Sequence, residues 1–216
     1  MISKNLKKRF YTSLILLCLI ILMFQLNELI VFTLLILSII SILEFIKITK
    51  LIIKKKFLIF VYNLMFVIYI SIFSLFFYFF SSFYLLKIIL FSILFSCIAS
   101  DIGGYISGNL LKGPKLTKIS PKKTVSGAIG SLVLSTLILI ISIYYFTENL
   151  SYKTIVVGLI TSTACQIGDL LFSLLKRKAK IKDTGNLLPG HGGILDRIDG
   201  IILGVPLGFL TFVLIY

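Results

Sequence analysis

The amino-acid sequence predicts an all-α fold: a polytopic integral membrane helical bundle of about seven transmembrane helices. Three observations carry this. Apolar side chains make up 58% of the 216 residues and charged ones 14%, against about 45–50% and about 25% in soluble domains. Mean hydropathy is +1.10, so lipid must be the solvent for much of the surface. Basic residues, finally, recur in blocks between the apolar runs. A soluble globule, a disordered tail and a disulfide scaffold are excluded. Cys18, Cys97 and Cys165 stand singly inside apolar runs and read as small buried hydrophobes.

A membrane helix needs roughly 20 apolar residues. The run 10–46 is too long for one span and is broken only by Gln25-Leu26-Asn27-Glu28, which predicts a tight hairpin of helices near 10–25 and 28–46. Its basic start (Lys4, Lys7, Lys8, Arg9) resembles a signal peptide. No small-residue cleavage site follows, however, and the next apolar segment begins at once, so the run reads as an anchor that stays. Further spans are expected near 57–80, 83–108, 126–147, 153–175 and 194–216.

Seven spans alternate the loops. One side then collects 19 of the 22 basic residues, in blocks at 4–9, 47–56, 112–123 and 176–182, while the opposite loops hold Lys153 alone. This bias puts the N-terminus in the cytoplasm. Lys87 is expected to snorkel toward the outer interface. Topology and anionic headgroups account for the net charge of +14, so no nucleic-acid partner is called for.

Lipid disfavours the residues that follow. On the sixth span Gln166, Asp169, Ser173 and Lys176 fall on one helical stripe. On the seventh, Asp196 and Asp199 share a face at i, i+3, with Arg197 between them. Each ionised residue in mid-membrane costs about 2.5–3.5 kcal/mol on insertion scales. Arg197 could pair with Asp196 or Asp199 simply to lock two helices, which leaves Asp169 and the glycine-rich Pro189-Gly190-His191-Gly192-Gly193 unexplained. Three carboxylates facing a basic, glycine-bearing loop suit a divalent cation on a phosphate compound. Mg²⁺ takes oxygen ligands, usually one or two carboxylates plus substrate phosphates, and Lys and Arg hold the remaining oxygens.

The loop before the fifth span reads alike. In Ser120-Pro121-Lys122-Lys123-Thr124, Ser120 is the expected N-cap and Pro121 the first helical residue. The helix N-terminus would then attract an anion; the plainer alternative is a capped helix with topogenic lysines. In Asp101-Ile102-Gly103-Gly104-Tyr105 the glycines predict close helix packing. Asp101 stays open between a ligand, a packing hydrogen bonder and an interfacial residue. His191, the single histidine, stays open between a phosphate contact and a loop-fixing role.

Residues 173–177 (Ser-Leu-Leu-Lys-Arg), 182–185 (Lys-Asp-Thr-Gly) and 188–199 together resemble the signature of the phosphatidate cytidylyltransferase (CDP-diacylglycerol synthase) family, without departure across its 27 positions. Gly168-Asp169, the Asp101 segment and the Ser120 segment resemble the same family, so the likeness covers roughly 98–200. Three departures stand out: Ser126 replaces a common Glu, residues 108–112 lack an arginine often found there, and the N-terminal spans are fewer than in many members.

The resemblance implies transfer of CMP from CTP to phosphatidate, giving CDP-diacylglycerol and pyrophosphate. It implies Asp169 and Asp196 as Mg²⁺ ligands on neighbouring helices, with room for a second cation such as K⁺, and Asp199 as a further ligand or supporting group. Lys176 and Arg197 join the catalytic set. Ser120, Lys122, Lys123, Thr124, Arg177, Lys182, Asp183, His191, Gly192 and Gly193 are the expected substrate contacts. Residues 1–56 would be an anchor hairpin with a basic cytoplasmic loop, and 57–216 the catalytic transmembrane domain. CTP, phosphatidate and the bilayer are the expected partners, with a homodimer left open. The expected location is the bacterial inner (plasma) membrane, multi-pass, with the active site facing the cytoplasm. A lipid or ion transporter is the rival class, but it would place its acids near mid-span.

Overall fold

The computed structural model describes residues 4–117, 120–148, 151–185, 187 and 192–216, with side chains from residue 11 onward. The helices are α1 (Lys4–Gln25), α2 (Asn27–Ile52), α3 (Lys56–Ser81), α4 (Tyr84–Leu111), α5 (Val125–Thr147), α6 (Tyr152–Lys178), α7 (Leu195–Ile198) and α8 (Ile201–Ile215). Six segments are long and apolar enough to cross a membrane: α2 to α6 and the stretch Leu195–Ile215. The described apolar part of α1, Tyr11–Gln25, is shorter. The all-α, multi-pass membrane architecture therefore stands. Only Leu26 separates α1 from α2, as tight a turn as the sequence predicts.

Two boundaries differ from expectation. Helix α2 continues past position 46 to Ile52, because Glu44, Ile48 and Thr49 carry its buried face onward while Lys47 and Lys50 point to solvent. Apolarity marked the membrane depth rather than the end of the helix. The last span, expected as one helix over 194–216, is two: α7 stops at Ile198 and α8 starts at Ile201. Asp199 Oδ1 accepts the Gly200 N–H at 2.9 Å, a local bond that competes with the helical ladder. The shared i, i+3 face expected for Asp196 and Asp199 is thereby interrupted.

The chain divides into two compact units, residues 1–82 with 175–198, and residues 83–174 with 199–216. In the first, α2 packs on α3. Phe45 stacks on Phe66 with centroids 4.0 Å apart, Ser38 and Ser74 share a 2.8 Å hydrogen bond, and the Thr49 hydroxyl reaches Asn63 Oδ1 at 2.9 Å.

In the second unit, α4 lies against α5 with almost nothing between their backbones. A Cβ on Gly103 would stand 2.5 Å from the Gly130 carbonyl oxygen, and one on Gly104 2.6 Å from Ser131 Oγ. This is the close packing the glycines predicted. Serines stitch the same region, with Ser96 Oγ 2.7 Å from Ser135 Oγ and the Ser131 hydroxyl donating to the Ser100 carbonyl at 2.7 Å. Lys87 is buried, on the inward face of α4 that Phe91 and Leu94 continue at i+4 and i+7.

Candidate active site

The first unit builds its site around Asp196. Helix α6 ends in a run of cations, Lys176, Arg177 and Lys178, which suits the negative end of its dipole. Lys180 then turns left-handed at φ 57°. Its N–H bonds to the Arg177 carbonyl at 3.1 Å, and the Ile181 N–H bonds to the Lys176 carbonyl at 3.0 Å. That double closure is a Schellman stop. It turns the chain toward Thr184, whose N–H donates to Asp196 Oδ2 at 2.7 Å. The Gly193 N–H donates to the same oxygen at 3.0 Å, and Lys176 Nζ reaches Oδ1 at 2.8 Å. The Lys176 and Asp196 side chains are only 13% and 5% exposed. Gly192 sits at φ 86°, and a Cβ there would come within 3.0 Å of Asp196 Oδ2. Glycine serves both the conformation and the approach. The cation paired with Asp196 is thus Lys176 and not Arg197. Arg177, Lys182, Asp183 and Arg197 are exposed, as ligand-facing groups would be.

One acid here escaped the sequence reading. Glu44, on α2, is buried at 2% exposure. Its Oε2 accepts the Thr184 hydroxyl at 2.7 Å and the Leu195 N–H at 2.9 Å, and its Oε1 accepts the Ile194 N–H at 3.1 Å. The available signal was an acid just inside the end of an apolar span, a position lipid tolerates only with partners.

The second unit holds Asp169. Its Oδ2 pairs with Lys123 at 2.5 Å, and the Ser173 hydroxyl donates to its Oδ1 at 3.3 Å, so part of the expected stripe on α6 is real. Gln166 turns elsewhere, donating to the Ala128 carbonyl and to Ser162 Oγ, both at 3.3 Å. The Lys123 and Asp169 side chains are 25% and 30% exposed, a wetter pair than Lys176 and Asp196. Asp199 also belongs to this unit and is buried. The backbone of Gly168 presses on it: a Cβ there would lie 2.5 Å from the Asp199 carbonyl oxygen.

The Ser120 segment is arranged differently from its expectation. The N-cap of α5 is Thr124, whose side chain accepts the Gly127 N–H at 3.1 Å. Residues 120–123 form a turn closed by the Lys123 N–H on the Ser120 carbonyl at 3.0 Å, with Pro121 at its second position. Two further bonds, Leu116 N–H to the Lys123 carbonyl at 2.8 Å and Val125 N–H to the Pro114 carbonyl at 3.0 Å, hold Thr124 extended. The helix therefore starts after it. Because Val125 and Gly127 have already spent their N–H groups, an anion here would meet Lys122, which is exposed, and Lys123 rather than a bare helix end. Ser126, at the position where Glu is common, donates to the Lys112 carbonyl at 2.5 Å and so fixes the exit from α4. Asp101 is exposed. His191 lies outside the described residues, as do residues 188–190.

Both paired aspartates fit a hard cation by donor chemistry. A carboxylate offers about four lone-pair sites. Asp196 engages one on Oδ1 and its Oδ2 sites with backbone donors, while Asp169 keeps more than one open. Among the described residues no three His, Cys, Asp or Glu gather as a protein-only cage. Mg²⁺ needs none, since it takes one or two carboxylates and fills the rest with water and phosphates.

Fold and site together define a polytopic membrane protein with two lysine-paired aspartates beside basic, glycine-bearing loops. The family model described as the Cytidylyltransferase family matches residues 3–215, and the chain belongs to that family. Several similar proteins carry the name phosphatidate cytidylyltransferase. That of Rickettsia bellii is 46% identical over 127 residues, covering 54% of this chain and 54% of the relative. The Staphylococcus haemolyticus protein is 43% identical over 110 residues, 50% of this chain and 42% of its own length. The Synechocystis sp. protein is 42% identical over 123 residues, 56% of this chain and 42% of its own. The match thus spans about half the length of these relatives, or less.

Proposed function

We propose that this chain transfers CMP from CTP to phosphatidate, giving CDP-diacylglycerol and pyrophosphate, at the cytoplasmic face of a bacterial inner membrane. The observation that carries the reading is the cradle at Asp196. The segment that resembles the family signature folds so that two backbone N–H groups and Lys176 fix one buried carboxylate, with Lys182, Arg177 and Arg197 exposed nearby in sequence. Family membership and the names of the relatives support the same chemistry.

A phosphatidate oxygen would attack the α-phosphorus of CTP; the new P–O bond forms as the bond to the departing pyrophosphate breaks. The nucleophile is already ionised at neutral pH, so no protein base is needed. What the chain supplies is position and charge neutralisation. Lys122, Lys123, Lys176, Arg177, Lys182 and Arg197 hold phosphate oxygens, with Ser120, Thr124, Asp183, His191, Gly192 and Gly193 as further substrate contacts. Asp169 and Asp196 would hold Mg²⁺, which neutralises triphosphate charge when bound; Asp199 supports them. The basic loops place CTP in the cytosol, and the bilayer keeps the phosphatidate tails.

The test is an assay of the membrane fraction with labelled CTP, with and without phosphatidate. Labelled CDP-diacylglycerol that depends on the added lipid is the expected result. CTP turnover indifferent to phosphatidate, or none in either arm, would remove the proposal.

A further inference from the structure

We propose that Glu44 is a positioning residue of the Asp196 site, a clamp by which the N-terminal hairpin sets the geometry of the loop segments whose N–H groups hold that carboxylate. As to activity, this rests on the function proposed above.

The argument begins with cost. A carboxylate buried at 2% exposure on an apolar helix survives only where donors replace its water. All three donors come from the loop: Thr184 Oγ1 from its start, and the N–H groups of Ile194 and Leu195 from its end. Glu44 therefore ties together the two ends of the 184–195 segment. Among the described residues no cation stands within ion-pair reach of it. Its partners are loop dipoles, not a charge on a neighbouring helix, so what it fixes is the loop.

The link to Asp196 is a single residue long. Thr184 gives its N–H to Asp196 Oδ2 at 2.7 Å, and its Oγ1 lies 3.1 Å from that same oxygen and 2.7 Å from Glu44. A hydroxyl carries one proton. The shorter contact takes it, so Glu44 orients Thr184 while the backbone N–H groups of Thr184 and Gly193 hold Asp196. The glycines agree. The Cα atoms of Gly185 and Gly193 face the Glu44 carboxylate so closely that a Cβ on either would overlap its oxygens. Glu44 thereby explains two glycines of the resemblance that substrate contact alone does not.

Glu44→Gln keeps the shape but points an amide NH₂ at N–H donors. In purified, detergent-solubilised protein, turnover per folded molecule should fall about 10–100-fold, the usual cost of losing a group that orients a ligand. Half-saturating Mg²⁺ should rise while half-saturating phosphatidate stays put. Trypsin should also cut faster after Lys182, a readout independent of activity. Wild-type turnover per folded molecule, or a loss traceable only to less folded protein with both half-saturation values unchanged, would overturn the proposal. Should Glu44→Gln fail to fold, Thr184→Val and Thr184→Ser carry the test: Val should lose turnover and Ser recover most of it, and equal rates for the two would overturn the proposal. If the wild-type protein transfers no CMP, the proposed function fails. The clamp is then judged by proteolysis alone, where unchanged cutting of Glu44→Gln refutes it.

Discussion

The two lysine–aspartate pairs differ in how much of the protein holds them. Asp196 is nearly closed to solvent and has both oxygens occupied, by Lys176 on one side and by two backbone N–H groups on the other. Asp169 is about a third exposed and has one close partner, Lys123, with Ser173 at the edge of hydrogen-bond range. The first is held by the loop that precedes α7; the second is the more exposed of the two. Breaking a buried pair by removing one partner is strongly destabilising, whereas an exposed pair contributes little to stability.

Substitutions can break or sharpen that contrast. Asp196→Asn should have the largest effect. It removes the charge that faces Lys176 and mismatches the backbone donors, lowering stability by about 3–5 kcal/mol and CMP transfer by about 10²–10³-fold or more; thermal unfolding in detergent and the labelled-CTP assay read the two. Asp169→Asn should cost comparable activity but less than about 1 kcal/mol of stability. An equal loss of stability for the two would erase the distinction. Next come the lysines. Lys176→Met should lower stability by about 1–3 kcal/mol, leaving a buried carboxylate short of a donor, and Lys123→Met by less than about 1 kcal/mol, each with a smaller rate loss than its aspartate. Ser126→Ala, which removes the bonds to the Lys112 carbonyl and to Thr124 Oγ1, should be mildest, about 1 kcal/mol, with CMP transfer close to wild type.

Local periodicity made the helices legible. Apolar runs fixed α3 to α6 to within about three residues, and the stripe on α6 correctly placed Ser173 beside Asp169. Where the reading slipped, a contact distant in sequence or a competing local bond had decided the matter. Ser120 looked like a cap, but pairing of residues 114–116 with 123–125 delays α5 until Thr124 can serve. One aspartate side chain splits the last span at Asp199-Gly200. The run around Lys87 is uniformly apolar and gives no sign that its face turns inward. Glu44 was hardest, since its donors lie up to 151 positions away and nothing beside it in sequence marks them.

That last separation bears on how the chain is made. Helices α4 and α5 are neighbours in sequence, so their glycine-lined contact is local and can close soon after both emerge from the ribosome. Glu44 has no such early partner. Its donors arrive only with Thr184, Ile194 and Leu195, so until those residues are synthesised its carboxylate lacks these partners. Completion of the loop is then the step that satisfies the buried acid of the hairpin.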